Sequence, residues 1–163
     1  MAARVAAKRG YTNIKVFHAG LPAWAAAGNI VLTTDTFVNK RMGFIVLIDT
    51  RGPEVAKKGY IQGAVAIRLN DIPGEKNQFP VDRKAYIVLY SQNTDQAALA
   101  PVVKDITKWG YKHVYILDGG YDGWVKNNGG IQKDRVLTKI YYLPRPHHGE
   151  IVGDEFMNIV NTK

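Results

Sequence analysis

One polar loop has the residue types and the position that chemistry requires. Ser91, Gln92, Asn93, Thr94, Asp95 and Gln96 follow an apolar run at residues 85–90 and precede a helical pattern. A loop that joins a strand to a helix N-terminus presents unpaired N–H groups and the positive end of the helix dipole, and both favour an anion. We therefore predict an anion- or ligand-binding loop here, with Ser91 at the position of a nucleophile.

A serine nucleophile needs a general base within hydrogen-bond reach. The histidines of the chain are His18, His113, His147 and His148, and the sequence places none of them beside Ser91. A serine hydrolase is therefore a minor alternative. In the simpler interpretation Ser91 satisfies backbone donors at the start of the loop, and we assign no catalytic residue.

The other polar candidates have simpler structural interpretations. Asp49 and Arg51 follow a second buried strand, and we expect them to support the site by hydrogen-bonding the adjoining loops. His147 and His148 are adjacent in a proline-rich segment and point in different directions, so we expect no metal site. We expect no cofactor either, and the turn at Asp118 lacks the lysine and the spacing of a phosphate loop.

Apolar runs and helical spacing place the loop in an α/β fold. Apolar residues at helical spacing predict a helix over residues 95–109, which Gly110 ends. Strand, loop, helix and strand make a βαβ unit, in which ligands lie beyond the carboxyl ends of the strands. Continuous apolar runs predict strands of a parallel sheet at residues 44–49, 64–67, 85–90 and 113–117.

Two stretches of the chain repeat each other at an offset of 100 residues. Residues 10–24 match residues 110–124, with Gly, Tyr, Gly and Trp in register, and a weaker echo relates residues 151–158 to 32–39. A unit of about 100 residues is the size of a domain, so the repeat predicts tandem units. These are the tail of one unit at 1–29, a complete domain at 30–130, and a linker with the start of a further unit at 131–163.

The flanking segments have an alternative interpretation as extensions that pack on a single domain. Within the repeat, we expect Trp24 and Trp124 to be core anchors of two short helices. The apolar face of the N-terminal segment, which includes Ile14, Val16 and Phe17, is expected to pack against the complete domain.

Composition limits the class of protein. The chain has 163 residues, 46% of them hydrophobic and 22% charged, as in soluble globular domains. It has no cysteine, which excludes disulfides, thiolate metal sites and a thiol nucleophile. Its apolar runs are far shorter than the roughly 20 residues that span a bilayer. We therefore expect a soluble protein of the cytoplasm or the periplasm, with no membrane as partner.

The net charge of +8 raises the question of a nucleic-acid partner. Bases and acids are interspersed along residues 29–130, so the sequence has no dense basic stripe. We expect no nucleic acid as partner, and a weak anionic partner is the alternative.

Four stretches are individually weak and jointly specific: residues 48–51 (Ile-Asp-Thr-Arg), 59–64 (Gly-Tyr-Ile-Gln-Gly-Ala), the strand, loop and helix at 86–109, and residues 110–124. In combination they resemble the rhodanese-like family, the thiosulfate sulfurtransferase domains. The resemblance implies an α/β fold, a doubly wound parallel sheet with helices on both faces. It also implies a cysteine that carries a persulfide at the first position of the loop after the central strand.

The chain departs from that pattern where the chemistry would occur. The cysteine position is Ser91, whose hydroxyl cannot form a persulfide, and the loop has no base. Asp95 would repel a thiosulfate anion. Ala97 stands where related phosphatases on this fold carry an arginine, and Tyr60 replaces a histidine that usually precedes the turn.

Two hypotheses follow from the resemblance and its departures. In the first, the chain is a catalytically lapsed rhodanese-like domain that acts as a scaffold or binding module within a tandem array. Its partner would be a protein or a neighbouring rhodanese-like domain. In the second, it is the supporting domain of a multi-domain sulfurtransferase whose active cysteine lies in another repeat.

Overall fold

The computed structural model describes Arg4 and residues 7–12, 19–127 and 129–144. The predictions for Ile14, Val16, Phe17, His147 and His148, and for the echo at 151–158, lie outside the described residues. Along the chain the elements are α1 (Gly20–Ala26), β1 (Leu32–Thr33), α2 (Asp35–Asn39), β2 (Val46–Asp49), α3 (Pro53–Ala56), β3 (Tyr60–Ile61), β4 (Val65–Ala66), a 3₁₀ helix (Ile72–Gln78), β5 (Tyr86–Tyr90), α4 (Gln96–Lys108), β6 (His113–Leu117), α5 (Gly120–Lys126) and β7 (Ile131–Gln132).

A five-stranded sheet in the order β1-β6-β5-β2-β4 forms the centre of the molecule. Every neighbouring pair in it is parallel. All four residues of β2 are buried, which agrees with the continuous apolar run that predicted a strand covered on both faces. The predicted strands at 44–49, 64–67, 85–90 and 113–117 are confirmed as β2, β4, β5 and β6.

Helices cover both faces of the sheet, which confirms the predicted fold class. One face packs Ile48, Ile87 and Ile116 against α4 and the 3₁₀ helix. The opposite face packs Leu47, Val88 and Leu117 against α2, α3 and α5. Alternate residues of each strand therefore belong to different cores.

The predicted helix over residues 95–109 is confirmed as α4. Asp95 is its N-cap, and the Asp95 carboxylate accepts a hydrogen bond from the Ala98 N–H at 3.0 Å. Gly110 follows the helix with φ +99°, a left-handed conformation that glycine adopts without strain. The buried face of α4 consists of Leu99, Val102, Val103 and Ile106.

The repeated stretches have the same local structure where both are described. α1 and α5 begin at Gly20 and Gly120, and each of these glycines has a positive φ. The indole Nε1 of Trp24 donates to the Ile30 carbonyl at 2.9 Å, and that of Trp124 to the Gly130 carbonyl at 3.0 Å. Helix bounds and indole hydrogen bond thus repeat at the same offset as the sequence.

Burial separates the two tryptophans. Trp124 is 1% exposed and is a core anchor, as predicted. Trp24 is 42% exposed, so its prediction as a core anchor is wrong. The reason is that α1 has no buried residue, whereas α5 lies on a core face of the sheet.

The folded unit continues beyond residue 130, where the sequence predicted a linker. β7 pairs antiparallel with β3, and Leu137 bridges to Val65 of the edge strand β4. The Ala66 N–H donates to the Leu137 carbonyl at 2.8 Å, and Ile140 and Tyr142 pack against the core. Residues 131–142 therefore form a strap along the sheet. No helix in the described part of the chain is long and apolar enough to cross a membrane.

Candidate functional site

The predicted loop lies at the carboxyl edge of the sheet. β5 ends at Tyr90, α4 begins at Gln96, and the residues between them face the N-terminus of α5. The carbonyls of Ser91 and Gln92 accept hydrogen bonds at 2.9 Å from the N–H groups of Tyr121 and Asp122. The loop thus caps α5 while Asp95 caps α4.

Gly120 is required at the contact between this loop and α5. A Cβ at this position would lie 2.7 Å from the carbonyl oxygens of both Ser91 and Asn93. Gly120 also has φ +57°, which disfavours other residues. The close backbone approach fixes the position of the loop.

Two side chains of the loop are bound to other parts of the molecule. Gln92 accepts a hydrogen bond from Arg51 Nη1 at 3.0 Å and donates one to Asp122 at 2.5 Å. Thr94 donates to Asp118 at 3.0 Å and accepts from the Gly119 N–H at 2.5 Å. The loop is therefore held from both sides.

The backbone N–H groups of Gln92, Asn93 and Thr94 make no hydrogen bond to any described residue. The Ser91 hydroxyl makes none either, so the expectation that it satisfies backbone donors is wrong for the described part of the chain. The Thr94 hydroxyl accepts a backbone N–H instead. The amides that could face an anion remain available.

Asp49 and Arg51 form a buried ion pair behind the loop. Arg51 donates to both carboxylate oxygens of Asp49, at 2.9 and 2.6 Å, and to the Gly59 carbonyl at 2.8 Å. The two side chains are 0% and 6% exposed, respectively. Burial acts against the charge of Arg51, but the hydrogen bond and the charge of Asp49 outweigh it, so the pKa of Arg51 is raised.

Tyr90 and Tyr121 complete this support. The Tyr90 hydroxyl donates to Asp49 at 2.9 Å and accepts from the Ile61 N–H at 3.1 Å. Burial, and then the charge of Asp49, raise the pKa of Tyr90, so it remains a donor throughout the physiological pH range. The Arg51 guanidinium lies 3.9 Å from the centre of the Tyr121 ring. The Arg51 guanidinium thus contacts Asp49, the Gly59 carbonyl and the Tyr121 ring, and it reaches the loop only through its hydrogen bond to Gln92 among the described residues.

Acidic groups outnumber basic groups around the loop. Asp95, Asp118 and Asp122 all hydrogen-bond within the loop or across it. Among the described residues, Arg51 is the cation that hydrogen-bonds to the loop, and its charge is matched by Asp49. The sequence interpretation missed Asp118 and Asp122 as site residues. Their positions after β6 and at the start of α5 could have indicated them, because carboxyl ends of parallel strands share one edge.

The described histidine lies far from Ser91. His113 is the first residue of β6 and is in register with Tyr86, the first residue of β5, so it lies at the opposite edge of the sheet. Burial, and then the charge of Lys112, lower the pKa of His113. The described residues therefore provide no histidine base for Ser91. They also contain no group of three or more His, Cys, Asp or Glu residues that could hold a metal ion.

The sheet is parallel and has helices on both faces. The loop after its central strand, β5, faces the N-terminus of α5. These two features are typical of small α/β domains whose binding site lies in that loop. Residues 35–127 match the family profile of the rhodanese-like domain. The chain belongs to the rhodanese-like domain family.

Curated relatives include enzymes. Thiosulfate sulfurtransferase GlpE of Tolumonas auensis is 28% identical over 80 residues, which cover 49% of this chain and 72% of that protein. The uncharacterized protein YqhL of Bacillus subtilis is 35% identical over 78 residues, or 48% of this chain and 59% of that protein.

Solved structures share the fold. A full-length protein from Lactobacillus plantarum matches with a TM-score of 0.56 at 21% identity, over 63% of this chain and 87% of that one. A rhodanese-like domain from an Anabaena protein matches with a TM-score of 0.53 at 18% identity, over 74% of this chain and 97% of that one.

Proposed function

We propose that this chain is a catalytically lapsed rhodanese-like domain that acts as a scaffold or binding module within a tandem array. The absence of any cysteine supports the loss of catalytic activity, because sulfur transfer in this family requires a nucleophile that can become a persulfide. Ser91 stands at the start of the loop, its hydroxyl makes no hydrogen bond to a described residue and no described histidine lies nearby, so the described residues do not activate it as a nucleophile.

The electrostatics of the loop support the lapse. Thiosulfate is an anion, and Asp95, Asp118 and Asp122 surround the loop with negative charge. Arg51 cannot offset them because its charge is paired with Asp49. The side chains of Gln92 and Thr94 bind neighbouring residues and contribute to stability. The loop therefore positions the N-termini of α4 and α5.

A thiosulfate:cyanide sulfurtransferase assay tests the lapse. The native chain should give no turnover above the buffer rate. The Ser91→Cys variant restores the thiol, and Ser91→Cys/Asp95→Asn also removes one negative charge while keeping an N-cap residue for α4. We expect the double variant to be faster than the single variant, and both to be faster than the native chain.

Turnover by the native chain would overturn the proposal. If both variants have the same melting temperature as the native chain and neither shows turnover, the result would contradict the view that the amides of residues 92–94 still form an anion cradle. The matched control is Asp95→Asn alone, which should remain inactive because it lacks the thiol.

The repetition of α5 by α1 supports the tandem array. The two helices share their length, a positive-φ glycine at the first position and the tryptophan hydrogen bond to a carbonyl six residues later. In α5 these features belong to the last helix of a complete rhodanese-like domain. Their recurrence around Gly20 is what the tail of a preceding unit would contain.

The same repetition favours a second candidate, the supporting domain of a multi-domain sulfurtransferase with its active cysteine in another repeat. An antibody raised against the purified chain distinguishes the two in extracts of the source organism. A tandem array of either kind predicts a species well above 18.1 kDa. Sulfurtransferase activity in the immunoprecipitate would favour the supporting domain of a sulfurtransferase. A larger species without that activity would favour the catalytically lapsed binding module.

A further inference from the structure

A group of aromatic rings lies at the amino ends of β5 and β6, at the edge of the sheet opposite the loop. Tyr86 stacks on His113 with ring centroids 4.5 Å apart and an interplanar angle of 15°. Tyr115 is nearly parallel to Tyr86 at 6.1 Å. All three side chains are neither fully buried nor fully exposed. The sheet therefore presents a row of partly accessible rings on the face that carries α2 and α5.

Three cations surround these rings. The Arg41 guanidinium lies 4.0 Å from the centre of the Phe37 ring and 5.2 Å from that of Tyr86. Lys84 and Lys112 are exposed, and they line grooves beside Tyr86 and beside His113, respectively. Within the described residues none of the three forms an ion pair, and the Arg41 guanidinium makes no hydrogen bond. We name Arg41, Lys84, Tyr86, Lys112, His113 and Tyr115 the basic-aromatic face.

One acid lies beside this face without neutralising it. The Asp82 carboxylate accepts a hydrogen bond from the Lys84 backbone N–H at 2.8 Å and another from the Tyr142 hydroxyl at 3.5 Å. Asp82 lines a groove together with Arg41, Lys84 and Tyr86. The surface keeps an excess of positive charge, in contrast to the acidic loop at the other edge of the sheet.

An apolar groove continues the basic-aromatic face toward α1. It is lined by Leu21 and Ala25 of α1 and by Val31, and it reaches His113 and Tyr115 of β6. Lys112 lies on its rim. A partner bound to the cations would therefore have an apolar side-chain site directly beside it.

We propose that the basic-aromatic face binds an acidic segment of a partner protein, with an apolar side chain seated in the groove between α1 and β6. The inference rests on the proposed function as a binding module. It names the chemistry of the partner and a surface separate from the lapsed loop. Charge complementarity carries it, because three clustered cations that form no ion pair with any described residue attract carboxylates and repel basic segments.

The geometry favours carboxylates over the bases of a nucleic acid. Base recognition by aromatic residues requires open ring faces. The Tyr86 ring stacks against His113, and the Arg41 guanidinium lies 5.2 Å from its centre, so the faces of this ring are largely covered by protein groups. The Arg41 guanidinium lies 4.0 Å from the centre of the Phe37 ring and makes no hydrogen bond to a described residue, so its fork of N–H donors is available to a carboxylate.

Fluorescence anisotropy of a labelled peptide tests the proposal on the full chain. The probe is a ten-residue peptide with a central Phe-Leu pair and four acidic residues on each side. We expect binding that weakens as salt is raised from 50 to 300 mM, because exposed charges are screened. Replacing Phe-Leu with Gly-Ser should weaken binding several-fold.

Charge reversal locates the surface. Lys84→Glu/Lys112→Glu should weaken binding at least about tenfold. The matched control, Lys58→Glu/Lys133→Glu, makes the same change in net charge at exposed lysines away from the basic-aromatic face, and should change affinity less than about threefold. Arg41→Gln should weaken binding and Arg41→Lys should restore it only in part, since lysine lacks the planar fork. Melting temperatures verify that each variant is folded.

Three results would overturn the proposal: no binding of the acidic peptide, equal losses in the two charge-reversal variants, or tighter binding of a labelled ten-residue oligouridine that depends on Lys84 and Lys112. These readouts are independent of the sulfurtransferase assay. Turnover by the native chain would remove the proposed lapse, whereas failure of the peptide to bind would remove only the assigned surface.

Discussion

α1 and α5 have the same local structure in two different environments. Each begins at a glycine with positive φ and each tryptophan donates to a carbonyl six residues later, yet Trp124 is 1% exposed and Trp24 is 42% exposed. Local sequence therefore sets the helix and its indole hydrogen bond, whereas burial depends on the neighbouring elements. α5 contributes its tryptophan to a core that also contains Tyr60 and Ile61.

The residue five positions after each tryptophan reflects this difference. After Trp124 of α5 this residue is Gly129, and a Cβ there would collide with the Trp124 indole. In the first copy it is Asn29, whose side-chain amide donates to the Trp24 carbonyl at 3.1 Å. A side chain is thus accommodated beside the exposed tryptophan and excluded beside the buried one.

Removing the buried tryptophan should destabilise the chain most. Trp124→Ala should lower the free energy of unfolding by about 3–5 kcal/mol, the usual cost of removing a large buried aromatic side chain. Trp24→Ala should cost about 1 kcal/mol, as substitutions at partly exposed positions do. Urea unfolding followed by circular dichroism measures both. Equal losses would show that α1 contributes as much to the fold as α5 does.

Alanine substitutions at the glycines that begin the two helices should differ in how much stability they remove. Alanine is strained at both positions because φ is +74° at Gly20 and +57° at Gly120. At Gly120 the new Cβ would also lie 2.7 Å from two carbonyl oxygens, whereas at Gly20 its nearest neighbour is Pro22 Cδ at 3.6 Å. We expect Gly120→Ala to cost about 3 kcal/mol and Gly20→Ala about 1 kcal/mol.

The same unfolding measurements would contradict this comparison if Gly20→Ala were the more damaging change. Gly74→Ala is a suitable control, since a Cβ at Gly74 meets no atom within 4 Å and its φ is not in the left-handed region. This variant should unfold at the same urea concentration as the native chain.

A weaker change, in the pH dependence of stability, is expected from His113 of β6, which lines the groove beside α1. Burial, and then Lys112, lower the pKa of His113 from its ordinary value of 6.5. Between the folded and unfolded pKa values the unfolded chain binds more protons, so the stability contribution of His113 is present above pH 6.5 and lost as the pH falls toward the folded pKa. The native chain should therefore lose more stability between pH 7 and pH 5 than His113→Gln does. A steeper loss in the variant would contradict the lowered pKa.

The parts of the fold that follow from sequence periodicity could be predicted. β5, α4 and β6 are long, strongly patterned segments, and Asp95 and Gly110 mark the ends of α4 in the sequence itself. α2, α3 and β7 were not predicted, because two to five residues carry no clear period and tertiary contacts position them.

Contacts between distant segments explain the remaining differences. The strap at residues 131–142 was interpreted as a linker because prolines follow it, but its pairing with β3 and β4 depends on residues about 70 positions earlier in the chain. Asp118 and Asp122 join the loop only because parallel strands bring β5 and β6 side by side. The exposure of Trp24 likewise depends on which elements surround α1.

The bridge between Leu137 and Val65 has a consequence for assembly. It places the strap along β4, an edge strand of the sheet, and the Leu137 carbonyl accepts the Ala66 N–H there. An edge whose backbone groups are already bonded cannot add a strand from another molecule, which is a common route to aggregation. The opposite edge strand, β1, has only two residues. Both edges of the sheet therefore offer little free backbone for strand pairing between copies of this chain.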